Sequence, residues 1–262
     1  MDPAAGEVQA GRITFVRFRH RGHHRARVLR TAWAACTLCG MDAIAIDGPA
    51  ASGKTAIGSA LARELGYRFL DTGAMYRAMT WAALQDGIDP SDEAALSRMA
   101  AQARIVVGDA PGGTGEATAV SVNDKDATPH LRDADVEANV SLVSRVPGVR
   151  SALVRIQREI ARGGRVVMAG RDIGSVVLPD ARLKVYLDAS REVRARRRAE
   201  QMRHNGHEPD LAALIEDLAR RDGIDSSRET SPLTAAPGAV IISTDDISIE
   251  EVVRRIGALA HG

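Results

Sequence analysis

Aromatic side chains are scarce here: three Phe, two Trp and three Tyr supply 3% of 262 residues. A base-stacking platform for single-stranded nucleic acid needs such rings, so that class of binder is disfavoured. Net charge is equally slight, at +1, and gives no bulk attraction to a polyanion. Both cysteines sit in "CTLC", as Cys36 and Cys39. A lone C-x-x-C lacks the second ligand pair of a structural zinc site, although His20, His23 and His24 are nearby in the chain. Two incidental thiols in a reducing compartment are the plainer reading, and no disulfide framework follows. No apolar run approaches the roughly 18 residues that a membrane span needs. The N-terminal stretch is too broken by Arg and His to be a secretory apolar region. Cytoplasmic location, without a membrane partner or a stable nucleic-acid partner, is the resulting expectation.

Hydrophobic residues make up 45% of the chain, enough for one full core with a small insert. The near-zero net charge hides an asymmetry. Residues 1–40 carry seven arginines against Asp2 and Glu7, which leaves 28 basic and 32 acidic residues in the rest. That basic segment shows no clear periodicity. It fits a flexible arm, an organelle-type targeting peptide or an unused upstream start, and the expectation is an appended, poorly ordered extension with Met41 as the natural beginning.

From residue 41 strand and helix signals alternate. Short apolar runs mark strands at 43–46, 67–70, 104–107, 118–122, 165–169, 183–187 and 239–243. Helical patterns lie between and after them, at 54–65, 73–86, 92–102, 133–145, 147–162, 190–204, 209–221 and 248–260. Such alternation predicts an α/β fold, a mainly parallel sheet covered by helices on both faces. The turn-rich "DAPGGTGEA" at 109–117 makes 104–122 a hairpin off the main alternation, hence a small inserted lobe. No internal repeat is evident.

The strongest chemical signal is "DGPAASGKT" at 47–55, which satisfies G-x-x-x-x-G-K-[ST] without a mismatch. Gly48 and Gly53 permit a tight turn in which, beyond Pro49, the backbone N–H groups of Ala50, Ala51 and Ser52 converge on phosphate oxygens. A helix starting near Lys54 adds the positive end of its dipole through Thr55 and Ala56. Lys54 would reach the terminal phosphates of a nucleotide, and the Thr55 hydroxyl would ligate Mg²⁺ with phosphates and water. The motif lies between a strand and a helix, the context that it requires. A guanine-reading N-K-x-D segment is missing, since "NDKD" at 123–126 has its lysine one place late. "VVMAG" at 166–170 lacks the acidic residue that a motor ATPase carries at a strand end. Switch and motor readings are therefore weak.

Arginine and aspartate recur just beyond strand ends, where open parallel sheets bind ligands. "LDTGAMYR" offers Asp71, Thr72 and Arg77; "AGRDIG" offers Arg171 and Asp172; "RRDGIDSSR" offers Arg221, Asp225 and Arg228. "REVRARRR" packs five arginines into residues 191–198. Arginine forks hold phosphate bidentately and keep their charge, so several around one site would neutralise a phosphoryl group in transit. The 191–198 cluster fits a solvated helix face, an RNA patch or a mobile flap equally well.

Taken in order, "IDGPAASGKT", "FLDTGAMYR", "GRDIGSVVLPDA", "VYLDAS" and "RRDGIDSSRETSPL" make residues 41–262 resemble the bacterial cytidylate (CMP/dCMP) kinases. The resemblance implies transfer of the γ-phosphate of ATP to CMP or dCMP with Mg²⁺, by a P-loop nucleoside-monophosphate kinase fold. It implies a five-stranded parallel sheet, a monophosphate-binding insert at about 104–150 and an arginine-rich lid at about 190–210, in a monomer. Thr72, Arg77, Arg171 and Arg228, with Asp71 adjoining, would hold the acceptor's phosphate. Ser141 and Arg150, together with Asp172, would read the cytosine edge, and Arg221 and Asp225 would engage the sugar. Arg194, Arg197 and Arg198 would close over ATP. Lys54, Arg171, Asp172, Arg221 and Arg228 are the residues expected to carry catalysis. One departure stands out: family members often have an acidic residue where this chain has Ala169, which shifts the expected help with magnesium towards Asp47. A relative acting on UMP, an arginine-rich nucleic-acid binder and a regulator without turnover remain as alternatives.

Overall fold

The computed structural model describes residues 42–110, 117–204, 206, 208–226 and 233–261. The N-terminal extension, Cys36, Cys39 and Arg228 lie outside them.

Five parallel strands form the main sheet: β1 (Ala43–Asp47), β2 (Arg68–Asp71), β6 (Val166–Gly170), β7 (Leu183–Asp188) and β8 (Val240–Ser243), in the order β2-β6-β1-β7-β8. Alternation along β1 assigns its two faces. Ala43 and Ala45 join one core with Leu70, Met75, Met79, Val166 and Met168. Ile44 and Ile46 join another with Ile57, Leu61, Val167, Val185, Leu187 and Ile256. Both β1 and β6 are buried along their whole length, as central strands of a doubly covered sheet must be.

The second core face is closed by α1 (Lys54–Leu65) and the C-terminal α8 (Ile249–His261). On the opposite face lie α2 (Thr72–Gln85), α3 (Glu93–Gln102), α4 (Ala134–Val143) and α5 (Pro147–Arg162). With them packs a small antiparallel sheet of β3 (Ile105–Asp109), β4 (Thr118–Val122) and β5 (Lys125–Asp126). Asn123 and Asp124 turn β4 into β5 with φ of 51° and 64°, left-handed values that Asn and Asp tolerate. Buried Thr118 accepts a hydrogen bond from the Asp71 amide at 3.0 Å and so ties the small sheet to the end of β2.

Beyond the added strand β5, two elements near the site differ from the sequence expectation. The helix expected to stop at 221 continues, as α7 (Leu211–Ser226), through Gly223. Asp222 there pairs with Arg194 and Asp225 with Arg171, so tertiary ion pairs override the weak helix propensity of "DGID". A π-helical turn at Ile173–Val177, which no periodicity announced, follows β6. Its first amides, of Ile173 and Gly174, donate to the two oxygens of Asp47 at 2.7 and 2.8 Å. The remaining helix, α6 (Arg191–His204), packs against α7 beside the C-terminal ends of β1 and β7.

Candidate active site

Chain direction puts the C-terminal ends of all five strands on one edge of the sheet, and the order reverses around β1. Loops following β1, β2 and β6 therefore open into one crevice. It is a single cavity of about 860 Å³ that runs from Ala50–Lys54 on one side to Tyr76, Ser141 and Arg150 on the other.

The phosphate loop is shaped by contacts that only small residues allow. A Cβ on Gly48, whose φ is 151°, would stand 2.3 Å from the Leu187 carbonyl oxygen on β7. Gly53 has φ of 95° and caps α1 at its start. Ala51 also takes a left-handed φ, of 60°. Within the loop the Lys54 ammonium donates to the Pro49 carbonyl at 2.5 Å and to Ser52 Oγ at 3.4 Å. Burial lowers its pKa, the positive charge of Arg171 adds to that, and Asp71, Asp47 and Asp225 oppose them; the result is about 7. Thr55 Oγ1 donates to Asp71 Oδ2 at 2.9 Å, while Asp71 Oδ1 accepts from the Gly73 amide and caps α2.

Asp47 does not take the place that Ala169 leaves open. Both its oxygens accept backbone hydrogens of the π-helical turn. Burial raises its pKa to about 6 against the lowering by those two amides. The carboxylate beside Thr55 is that of Asp71, which pairs in register with Ala169 across β2 and β6. The Ala169 carbonyl accepts from Thr72 Oγ1 at 2.8 Å. Among the described residues no group of three or more His, Cys, Asp or Glu could hold a metal ion alone. A hydroxyl and a carboxylate are hard oxygen donors that suit Mg²⁺, provided that phosphate and water complete its shell.

At the far end, Arg150 and Asp172 form a buried ion pair. Arg150 also donates to the Ser144 carbonyl at 3.3 Å and lies over the Tyr76 ring at 5.8 Å. Ser141 lines the same end of the cavity. Between the two ends, Arg171 Nη1 meets Asp225 Oδ2 at 2.8 Å. Arg77 and Arg221 approach the carboxylate of Glu137 at 3.4 and 3.1 Å. Arg221 is further fixed by Asp217 at 2.9 Å, one helical turn earlier.

The three arginines of α6 go to different places. Buried Arg194 grips Asp222 with both terminal nitrogens, at 3.2 and 2.6 Å, and donates to the carbonyls of Ala50 and Ala189. It thus ties α6 and α7 to the back of the phosphate loop. Arg197 reaches the Thr244 hydroxyl at 3.0 Å and the Thr244 carbonyl at 2.5 Å. Arg198 turns the other way, to Glu137 at 3.4 Å.

Several of these partners were not legible beforehand. Asp217 could have been noticed as an i, i+4 partner of Arg221. Asp222, Tyr76 and Thr244 carry no local signal, because their partners lie far away in sequence, and of the arginines at Glu137 only Arg132 is a near neighbour.

The sequence model of the cytidylate kinase family matches residues 44–262. The cytidylate kinase of Geobacillus kaustophilus is 49% identical over 213 residues, 81% of this chain and 93% of that one. The Streptococcus suis protein of the same name is 48% identical over 83% of this chain and 95% of its own length. That of Mycolicibacterium paratuberculosis is 47% identical, over 83% and 94%. A phosphate loop and an arginine-lined cavity at the edge of a five-stranded parallel sheet, joined to near 50% identity along almost the full length of such relatives, leave one assignment: this chain belongs to the cytidylate kinase family.

Proposed function

We infer that the chain transfers the γ-phosphoryl group of ATP to CMP and dCMP, giving ADP with CDP or dCDP. The observation that carries this reading is the single cavity with a phosphate loop at one end and a buried Arg–Asp pair at the other. Two nucleotides can lie in it with their phosphates meeting at the arginines between.

On this reading ATP places its phosphates in the loop from Gly48 to Thr55. Lys54 leaves the Pro49 carbonyl for a phosphate oxygen, and the negative charge arriving there restores its proton. Thr55 would hold Mg²⁺ directly, and Asp71 would hold it through water. When bound, Mg²⁺ would supply neutralisation of the phosphate charge there. Arg197, anchored on Thr244, lies along the nucleotide side of the cavity.

The acceptor puts its base between Ser141 and the Arg150–Asp172 pair. Cytosine offers an amino donor to the carboxylate and ring acceptors to the guanidinium. Uracil turns a carbonyl oxygen towards Asp172 and leaves buried polar groups mismatched, which discriminates far more strongly than a missing methylene would. Thr72, Arg77, Arg171 and Arg228 are proposed to hold the acceptor phosphate, and Arg221 and Asp225 the sugar. Asp225 fixes Arg171 before any ligand arrives.

A phosphate monoester oxygen is already a nucleophile, so no general base is needed. Catalysis then consists of in-line positioning, neutralisation of charge by Lys54, Arg171 and Arg221, and exclusion of water by α6 and α7. Among the described residues no helix is long and apolar enough to cross a membrane, and ATP and CMP as substrates support a cytoplasmic location.

The test is ADP release with ATP and Mg²⁺, offering CMP, dCMP, UMP, AMP and GMP separately. Turnover chiefly with CMP and dCMP is expected. Preference for UMP, or none with any acceptor, would contradict the reading.

A further inference from the structure

Asp172 opens the π-helical turn Ile173–Val177, so the turn decides where its carboxylate stands. The Asp172 backbone carbonyl accepts from the amides of Val176 at 2.9 Å and Val177 at 3.2 Å, and the Ile173 carbonyl accepts from Leu178 at 2.7 Å. Two of these bonds span five residues and make the turn wider than an α-helical one, a form that is rare outside functional sites. Its apolar side is set in the core through buried Ile173, Val177 and Leu178. Its backbone is held at both ends. At the front, Asp47 accepts the amides of Ile173 and Gly174. At the back, Arg158 of α5 donates from Nε to the Val177 carbonyl at 3.0 Å and from Nη2 to the Val176 carbonyl at 2.7 Å. Val176 and Val177 are the two residues whose amides fix the Asp172 carbonyl. One guanidinium fork therefore acts on the part of the turn that places Asp172.

The same helix carries the partner of Asp172. Arg150 forms the buried pair with it and stands eight residues before Arg158, a rise of about 12 Å along α5. Helix α5 thus grips the segment 172–177 at two points, by a side chain at one and by backbone carbonyls at the other. A planar fork sets orientation as well as distance, which a single ammonium group does not. The two arginines differ in their surroundings. Arg150 is buried and lines the cavity. Arg158 is exposed and is not among the described residues that line it. Any effect of Arg158 on the base must pass through the turn.

We propose that Arg158 is a positioning residue for base recognition. By seating Val176 and Val177 against α5, it holds the Asp172 carboxylate where it meets both Arg150 and the amino group of cytosine. The inference rests on the assignment of Arg150 and Asp172 to the base under Proposed function. Uracil presents a carbonyl oxygen at that point and gains nothing from a well-placed carboxylate. Loosening the turn therefore costs CMP more than UMP, and the contrast between the two bases narrows.

The experiment measures kcat/KM for CMP and for UMP, KM for ATP and urea unfolding in the unaltered enzyme, Arg158→Met and Arg158→Lys. In Arg158→Met, kcat/KM for CMP should fall roughly three- to tenfold, chiefly through KM, as expected when a recognition group is misplaced from a distance. The value for UMP and KM for ATP should stay within about twofold. Arg158→Lys keeps the charge but not the fork and should recover part of the preference for CMP. A preference for CMP over UMP that is unchanged in Arg158→Met would overturn the proposal, even where unfolding shows the variant to be less stable, because Arg158 would then only brace the surface. Equal losses with CMP and UMP, or a KM for ATP that rises in step, would overturn it too, since the whole cavity would have loosened. An unaltered enzyme that turns over CMP no better than UMP would contradict the functional reading itself, and this inference with it.

Discussion

A lysine amine that is buried and faced by an arginine gives up its proton more easily than one in water, and Lys54 is such a group, at about 7. The free enzyme should accordingly lose its grip on ATP as pH rises through that value. Log kcat/KM for ATP should decline above about pH 7, whereas kcat, measured with phosphates bound, should hold to higher pH. Pre-steady and steady-state pH profiles on Lys54→Arg, which cannot deprotonate, should lack that decline; its persistence there would assign the ionisation elsewhere. At the other end of the cavity, Asp172→Asn leaves Arg150 buried without a counter-charge. Breaking such a pair should lower unfolding free energy by roughly 3–5 kcal/mol in urea titration. The same variant should narrow the preference for CMP over UMP, since an amide can also donate to the uracil carbonyl. Lys54 and Asp172 were legible from motif and resemblance. Glu137 was not, because its surroundings are assembled from residues 60 and more positions away as well as from near neighbours, and only folding brings Arg77, Arg198 and Arg221 to it.

Elements carry the next level of information. The strands were readable because β1, β6 and β7 are short apolar runs, and α1 because its capping glycine ends the phosphate loop. The π-helical turn was unreadable because it depends on one buried carboxylate 126 positions earlier. Asp47→Ala should leave two buried amides without an acceptor and destabilise the protein by roughly 2–4 kcal/mol, measured by urea unfolding near pH 4. The pH dependence has a definite sign. The folded-state pKa of Asp47, about 6, lies above its ordinary 3.8. Its contribution to stability is thus fully present below about pH 3.8 and is lost as pH rises through 6, so the unaltered protein should lose stability across that window relative to Asp47→Ala. The reach of α7 past Gly223 has a similar origin, in Asp222 and Asp225. Arg194→Met should detach α6 from α7 and from Ala50, raising KM for ATP several-fold through the displaced loop while leaving the base end of the acceptor site in place.

At the scale of the whole molecule, charge is sorted rather than abundant. Outside the first 40 residues the chain is mildly acidic, with 28 basic against 32 acidic residues. Its arginines are nevertheless gathered at the cavity from α2, α4's approach, α6 and α7. Composition alone hid this concentration. The family match begins at residue 44, so a protein comprising residues 41–262 should match the full chain in kcat/KM for CMP; a loss of tenfold or more would give the basic extension a part in the reaction. The central claim is direct transfer between two nucleotides held together in one cavity, with no covalent enzyme intermediate. It is tested most directly by initial velocities with ATP and CMP varied against each other. Double-reciprocal lines that intersect are the expected result, as both substrates must be present before transfer. Parallel lines, the signature of a phosphorylated enzyme formed before CMP arrives, would contradict it.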